Sequence, residues 1–270
     1  MIQVFTFQPE GEEDCFVEAY LHNEWKSPGI PVRNLPAVII CPGGGYDFTS
    51  DREATPVALE YFNAGYHAFV IRYSVKEKAR GFRPLCQLAA TIAHIRKHAA
   101  EWNVRENKIA VCGFSAGGHL AGSLGTLANS NEFQKVWGRK EDIRPNAMVL
   151  CYPVILANAY AHVGSISNVS GAQPKSDMYS WFGLDSHVTS ITPPTFLWHT
   201  ASDSAVPVEN SLQFALRLSR EKIPYELHVF PEGNHGLSVC SVGVNTPDPY
   251  VGRWVTWSIV WLNKLFGHEK

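Results

Sequence analysis

An α/β fold built on a mostly parallel central sheet is what this sequence predicts, on three observations. Strand-like runs recur at Leu35–Cys41, Tyr66–Tyr73, Ile109–Cys112, Asn146–Tyr152 and Thr195–Ala201, and continuous rather than alternating apolarity, as in Leu35–Cys41, marks strands covered on both faces. Stretches with helical spacing lie between them, a rhythm that gives right-handed crossovers between parallel strands. The runs end in turns bearing glycine, serine, aspartate or histidine, which gathers the chemically capable residues at the carboxyl edge of the sheet. The expected architecture has helices on both faces of the sheet in one domain over residues 1–270.

Composition narrows the partners. With 270 residues, 45% hydrophobic and 18% charged, the chain can bury a large core. A formal net charge of -2 gives no electrostatic reason to expect nucleic acid or acidic lipid. The start, MIQVFTFQPEGEED, lacks a basic segment followed by a long apolar one, and no run approaches membrane-spanning length, so the expectation is a cytoplasmic protein with no membrane partner. Cys15, Cys41, Cys86, Cys112, Cys151 and Cys240 are scattered, without a C-x-x-C pair, and read as buried free thiols rather than as disulfides or metal ligands. His94, His98 and His119 read as helix positions, since no carboxylate or thiol stands at metal spacing with them; no metal and no cofactor is expected.

In chain order, Met1–Phe7 and Cys15–Leu21 flank Pro9-Glu10-Gly11 and predict an antiparallel strand pair feeding the sheet. Leu35–Cys41 runs into Pro42-Gly43-Gly44-Gly45-Tyr46. Asp51–Ala64 has helical spacing (Ala54, Val57, Ala58, Tyr61, Phe62) and stops at Gly65, a suitable residue just past a helix end. After the strand Tyr66–Tyr73, Pro84 opens a helix carried by Leu85, Leu88, Ile92 and Ile95. Residues Pro153–Pro194 break the rhythm: they are rich in Ser, Asn, Gly and Pro, with isolated Tyr160, Tyr179, Trp181 and Phe182, and read either as a cap over the site or as a surface excursion. The rhythm resumes with Thr195–Ala201, a helix from Pro207 (Val208, Leu212, Ala215, Leu216), the strand Tyr225–Phe230, and a last helix over Pro249–Phe266. That helix has an apolar side of Val251, Trp254, Val255, Leu262 and Leu265, widened by Trp257 and Trp261, which suits packing on the sheet or a homodimer contact.

The organising stretch is Lys108–Ala121, KIAVCGFSAGGHLA. Gly113-Phe114-Ser115-Ala116-Gly117 fits G-x-S-x-G in the context that motif needs, strand then sharp turn then helix, which aims Ser115 out of the sheet at the positive end of a helix. An ordinary βα turn also satisfies the pattern, so further stretches decide. The Gly43-Gly44-Gly45 loop is a plain turn, a phosphate cradle or an oxyanion hole; neither phosphate-binding glycine pattern is present. Asp203, in Ser202-Asp203-Ser204-Ala205-Val206-Pro207, and His235, in Gly233-Asn234-His235-Gly236, each follow a strand, and Ser, Asp, His is the chain order of an α/β-hydrolase.

Together CPGGGY, GFSAGG, SDSAVP and GNHG, with SDRE at Ser50–Glu53 and VPVENS at Val206–Ser211, resemble the α/β-hydrolase superfamily, in its acetyl esterase branch of acetyl xylan esterases and bifunctional feruloyl/acetyl esterases. The likeness runs from about Leu35 to the end. It implies Ser115 as nucleophile, His235 as general base, Asp203 as its orienter, and the N–H groups of Gly44, Gly45 and Ala116 as the oxyanion hole. The implied activity is hydrolysis of short-chain, acetyl-type esters of sugars or xylo-oligosaccharides, with a small-molecule ester as the partner and no cofactor. Related esterases begin the glycine loop with His where this chain has Pro42, so any hydrogen bond made by that His is absent or replaced. Tyr46, Trp181 and Phe182 suit stacking on a sugar or aromatic alcohol, and equally suit cap packing. A formamidase or a small peptidase would use the same triad, and a non-catalytic binding protein would have lost one of its members. Replacing Asp203 by Asn is expected to keep the fold and cut turnover by orders of magnitude in steady-state assays; near-normal turnover would transfer the acid's role to Asp177 or Asp185.

Overall fold

The computed structural model describes residues 2–23 and 33–268. Met1, included in the first expected strand, lies outside them. The strands are β1 (Ile2–Phe7), β2 (Phe16–His22), β3 (Leu35–Cys41), β4 (His67–Arg72), β5 (Val104–Phe114), β6 (Ala147–Cys151), β7 (Thr195–Thr200) and β8 (Tyr225–Phe230). They form an 8-stranded sheet in the order β1-β2-β4-β3-β5-β6-β7-β8. β1 pairs with β2 and β2 with β4 antiparallel, and every later pairing is parallel. Every residue of β6 and β7 is buried, as continuous apolarity requires, whereas the edge strands β1 and β8 alternate or expose much of their length.

Helices cover both faces. α1 (Thr55–Asn63) and α9 (Arg253–Phe266) pack on one side, where Val57, Tyr61, Trp254 and Leu262 meet Val38, Ile40, Cys112 and Val149. On the other side lie α2 (Arg83–Lys97), the short α3 (Ala99–Trp102), α4 (Ala116–Thr126), α5 (Asn131–Trp137) and, after the insertion, the helix Glu209–Arg220, whose Leu88, Ile92, Leu120, Phe133 and Phe214 meet Ile39, Val111 and Leu197. No helix among the described residues is long and apolar enough to cross a membrane. All six cysteines are free, and all but the half-buried Cys86 are buried.

Four expectations are refined. The stretch Asp51–Ala64 divides into a 3₁₀ turn (Asp51–Glu53) and α1, because Ala54 leaves the helical region (φ -109°, ψ -108°) and Pro56 then sits in the first turn of a new helix. The insertion is not irregular throughout. It contains α6 (Val163–Ser170), α7 (Asp177–Trp181) and a 3₁₀ turn (Leu184–His187); His162 and Ser176 cap the two helices by accepting the N–H groups of Ser165 and Tyr179. The helix expected from Pro207 begins at Glu209 and is α8 (Glu209–Arg220), and the one expected from Pro249 begins at Arg253.

The insertion docks on the sheet edge through α4. His119, fully buried one turn into α4, has Nδ1 2.8 Å from the Tyr46 hydroxyl of the glycine loop and Nε2 2.9 Å from the Phe182 carbonyl of the insertion. Burial pushes its imidazole down to about 4, against the opposing pull of that carbonyl. The β5–α4 junction is as close. A methyl group on Gly113 would overlap the Gly117 carbonyl oxygen and lie 2.7 Å from Ala121 Cβ, and one on Gly117 would overlap the carbonyl oxygens of Cys41 and Pro42.

Gly113→Ala or Gly117→Ala is therefore expected to lower stability by about 2 kcal/mol or more, read as a fall in the urea midpoint at unchanged slope. A second expectation concerns acid. The folded state holds His119 neutral down to about 4 while the unfolded chain takes up its proton near 6.5, so the stability this group contributes is complete above 6.5 and is lost as pH falls through that window. Urea unfolding in steps through the window should show the wild type losing more than His119→Gln, by an amount of the order of 3 kcal/mol. Equal losses would mean that His119 becomes charged in the fold as readily as in the unfolded chain.

Candidate active site

Ser115 sits between β5 and α4 with φ 53° and ψ -118°, a conformation an L-residue adopts only under constraint. Its N–H donates to the Cys151 carbonyl (3.1 Å), and its carbonyl accepts the N–H groups of His119 (3.1 Å) and Val154 (3.0 Å). Both ends of the residue are thus fixed, and the hydroxyl is left to aim outward.

The turns after β7 and β8 bring up the partners. Thr200 Oγ1 donates to the Gly233 carbonyl (2.8 Å) and Ser202 Oγ accepts the Gly233 N–H (2.9 Å), so the end of β7 grips the loop carrying His235. Gly233, at φ 146°, is close enough to Thr200 that a methyl group would lie 2.7 Å from its Cγ2. Asp203 Oδ1 accepts the N–H groups of Ala205 and Val206 (2.9 Å each), which aims Oδ2 at His235 Nδ1, 2.7 Å away. A carboxylate is an acceptor, so Nδ1 carries the proton and Nε2 is free to accept the Ser115 hydroxyl at 2.8 Å. The structure joins these three expected residues in one hydrogen-bonded line.

The Asp203 side chain is only 1% exposed. Burial alone would raise its carboxyl, but His199, the bond and charge of His235 and the Val206 N–H outweigh burial and hold it well below the usual carboxylate range. His199 Nε2 is 2.9 Å from the Val206 carbonyl and 3.5 Å from Asp203 Oδ2, so its N–H serves the carbonyl and reaches the carboxylate as a dipole.

Opposite Ser115, the glycine loop presents N–H groups. The Gly43 carbonyl accepts the Ser50 N–H (3.0 Å) and the Gly44 carbonyl accepts those of Asp47 (2.9 Å) and Phe48 (3.2 Å). Carbonyl and N–H point opposite ways across a trans peptide, so the N–H groups of Gly44 and Gly45 are turned away from the 47–50 turn. Positive φ at both residues, 120° and 67°, makes that path one for glycine. Neither N–H, nor that of Ala116 at the start of α4, has an acceptor among the described residues. Three donors without partners beside a serine hydroxyl form a group that could hold an oxyanion.

The aromatics expected at a substrate surface are placed otherwise. Tyr46 is 1% exposed, with its hydroxyl bonded to His119, and Phe182 is buried. Trp181 packs edge-on against Phe82 and, with Phe182 and Met178, lines a cavity of about 450 Å³ that none of Ser115, Asp203 and His235 lines. Asp177 is exposed and Asp185 lies 3.8 Å from Arg217.

Two residues at the site were not singled out from the sequence. Buried Glu53 accepts the Gly43 N–H (2.9 Å) and the Tyr152 hydroxyl (2.6 Å). Tyr152, at φ 36°, sets its ring edge-on to His235 with centroids 5.0 Å apart. The signals that could have found them are an acid within SDRE following the glycine loop and a tyrosine at a strand end before Pro153.

The BD-FAE family matches residues 27–218. The chain is 36% identical over 231 residues to endo-1,4-beta-xylanase B of Butyrivibrio fibrisolvens, covering 83% of this chain and 34% of that protein. It is 28% identical over 207 residues to an acetylxylan esterase of Xylanibacter ruminicola, covering 74% and 41%. The chain thus spans well under half of these two relatives. Among solved structures, the acetyl ester-xyloside bifunctional hydrolase of Caldicellulosiruptor lactoaceticus superposes with a TM-score of 0.81 at 35% identity, covering 98% of this chain and 92% of that one. A strand-turn-helix serine, a doubly covered, mostly parallel sheet and a family match over most of the length lead to one assignment: the chain belongs to the BD-FAE family and has the α/β-hydrolase fold.

Proposed function

We propose that this hydrolase is a serine carboxylesterase that removes short acyl groups, acetyl foremost, from small esters such as acetylated sugars or xylo-oligosaccharides. The observation that carries the reading is the line from Asp203 through His235 to Ser115, 2.7 Å and 2.8 Å at its two links. The similarity to an acetylxylan esterase and to an acetyl ester-xyloside hydrolase supports the substrate class.

His235 Nε2 takes the Ser115 proton as Oγ attacks the ester carbonyl. Asp203, kept ionised by its hydrogen bonds, stabilises the imidazolium that forms. The tetrahedral oxyanion lies between the N–H groups of Gly44, Gly45 and Ala116, each donor contributing about 3 kcal/mol to the transition state. Protonated His235 then gives its proton to the departing alkoxide. Water, activated by the same imidazole, attacks the acyl-enzyme through a second tetrahedral intermediate and frees Ser115 and the acid.

Hydrolysis of p-nitrophenyl esters from acetate to octanoate, wild type beside Ser115→Ala, tests this. The expected result is a rate greatest on acetate and lost in the variant; acetylated xylo-oligosaccharides then identify the alcohol half. A folded protein inactive on every ester would overturn the reading and turn attention to formyl amides.

A further inference from the structure

We propose that Glu53 is a positioning residue for hydrolysis, a single buried carboxylate that fixes the donor loop on one side of Ser115 and the base on the other. This rests on the esterase reading, because the groups Glu53 positions are the oxyanion donors and the base used there.

Glu53 ends the turn after the glycine loop and is 4% exposed. A carboxylate that deep is costly to the fold unless its oxygens are hydrogen-bonded. Here both are, and by neutral donors from two different segments: the Gly43 N–H on Oε2 and the Tyr152 O–H on Oε1. Both segments are thereby registered to one group.

On the first side, Gly43 immediately precedes the donors of Gly44 and Gly45. It also backs onto the nucleophile, since a methyl group at Gly43 would lie 3.1 Å from Ser115 Cβ and 2.6 Å from Glu53 Oε2. Pro42 opens the loop with a side chain that offers no hydrogen bond, so the loop's anchor comes from Glu53 and from the Tyr73 hydroxyl, which donates to the Pro42 carbonyl (2.5 Å). On the second side, the Tyr152 oxygen that donates to Glu53 accepts the Ser238 N–H (2.9 Å) from the segment just beyond His235, and the tyrosine ring meets the His235 ring at 68°. Ser238 is held in turn by Trp254 Nε1, which donates to its carbonyl (2.9 Å). Glu53 has no direct bond to Ser115 or His235, whose polar atoms bond one another and Asp203. It acts through Gly43 and Tyr152.

Glu53→Gln keeps the shape and removes one acceptor, because the amide oxygen serves one donor while its NH₂ confronts the other. On p-nitrophenyl acetate, kcat is expected to fall about 10- to 100-fold with KM held within about twofold. Phenylboronic acid, which forms a tetrahedral adduct on a reactive serine, should bind more weakly in proportion to the loss in kcat/KM. Tyr152→Phe should lose less, and the double variant no more than Glu53→Gln, because both changes break one chain of contacts. Should Glu53→Gln fail to fold, Tyr152→Phe decides alone: it deletes one hydroxyl, keeps the ring, and must lower kcat at constant KM. A kcat within about twofold of wild type in the folded variants, a loss confined to KM, or lowered stability at full kcat would overturn the proposal. Ser115→Ala run alongside separates the two failures. If it is inactive while Glu53→Gln is normal, the role of Glu53 falls alone; if it retains activity, the esterase reading falls and takes this proposal with it.

Discussion

Backbone contact between the start of α4 and the ends of β3 and β5 is the constraint on which the rest depends. Gly113 and Gly117 let the turn close to a distance at which any side chain would collide with a carbonyl oxygen. That closure forces Ser115 into φ 53°, a conformation that costs about 1 to 3 kcal/mol in a non-glycine residue. Burial offsets it: every residue of α4 from Ala116 to Thr126 is buried, so the helix cannot withdraw to relax the turn without exposing apolar surface on all sides. Strain is therefore held at Ser115 by packing, and the glycine loop, which leaves β3 at the point Gly117 presses on, inherits a fixed distance from it.

Around this closure the carboxyl edge of the sheet concentrates the buried polar side chains. Glu53, His119, His199, Asp203 and Asn210 are all buried, and each is hydrogen-bonded to backbone, as such groups must be in a medium of low dielectric. Their bonds join segments distant in sequence. His199 Nδ1 and Ser211 Oγ are 2.7 Å apart, which fastens the first turn of α8 to β7. The neighbouring Asn210 Oδ1 accepts the N–H groups of Ile155 and Leu156 at 2.9 Å each, so the same turn that steadies Asp203 also holds the start of the insertion. A network satisfied at every member gives the edge one geometry, which is what preorganised donors and a fixed base require.

What the sequence made legible is what local pattern dictates. β3, β4, β6 and β7 were visible because strands covered on both faces are apolar along most of their length, and the elbow because its glycines are close in sequence to the serine they serve. Ser115, Asp203 and His235 could be matched by their order beyond three strands, β5, β7 and β8. Glu53 and Tyr152 escaped because their relation spans 99 positions, and neither type is informative alone. α6 and α7, at 8 and 5 residues, make only about two turns and one turn, too few for a spacing of apolar residues to stand out. The prolines at 207 and 249 signalled the approach of α8 and α9 correctly but lie in the turns before them. Trp181 and Phe182 show the limit of composition: an aromatic in a polar insertion reads equally as ligand platform or as packing, and only the neighbours, Phe82 and His119, decide.

Those neighbours also define what the insertion is. Its short helices cannot stand alone, since segments of that length are marginal in water and must take their shape from what they touch. The touching points are parts of the site frame: Asn168 Nδ2 donates to the Gly45 carbonyl (2.9 Å), the Val169 carbonyl accepts the Gly81 N–H (2.6 Å), and Phe182 closes on His119. The insertion is thus tied to the donor loop, to the segment before α2 and to the helix behind the nucleophile, so displacing it would leave buried polar groups on α4 and the glycine loop without partners. A wall held in that way is part of the frame around Ser115. The tether at the Gly45 carbonyl adds to the bonds at Gly43 and Gly44, so successive peptide planes of the donor loop are each pinned from outside. The direction of the free N–H groups follows from those pins, and with it the point at which the proposed mechanism would accommodate negative charge.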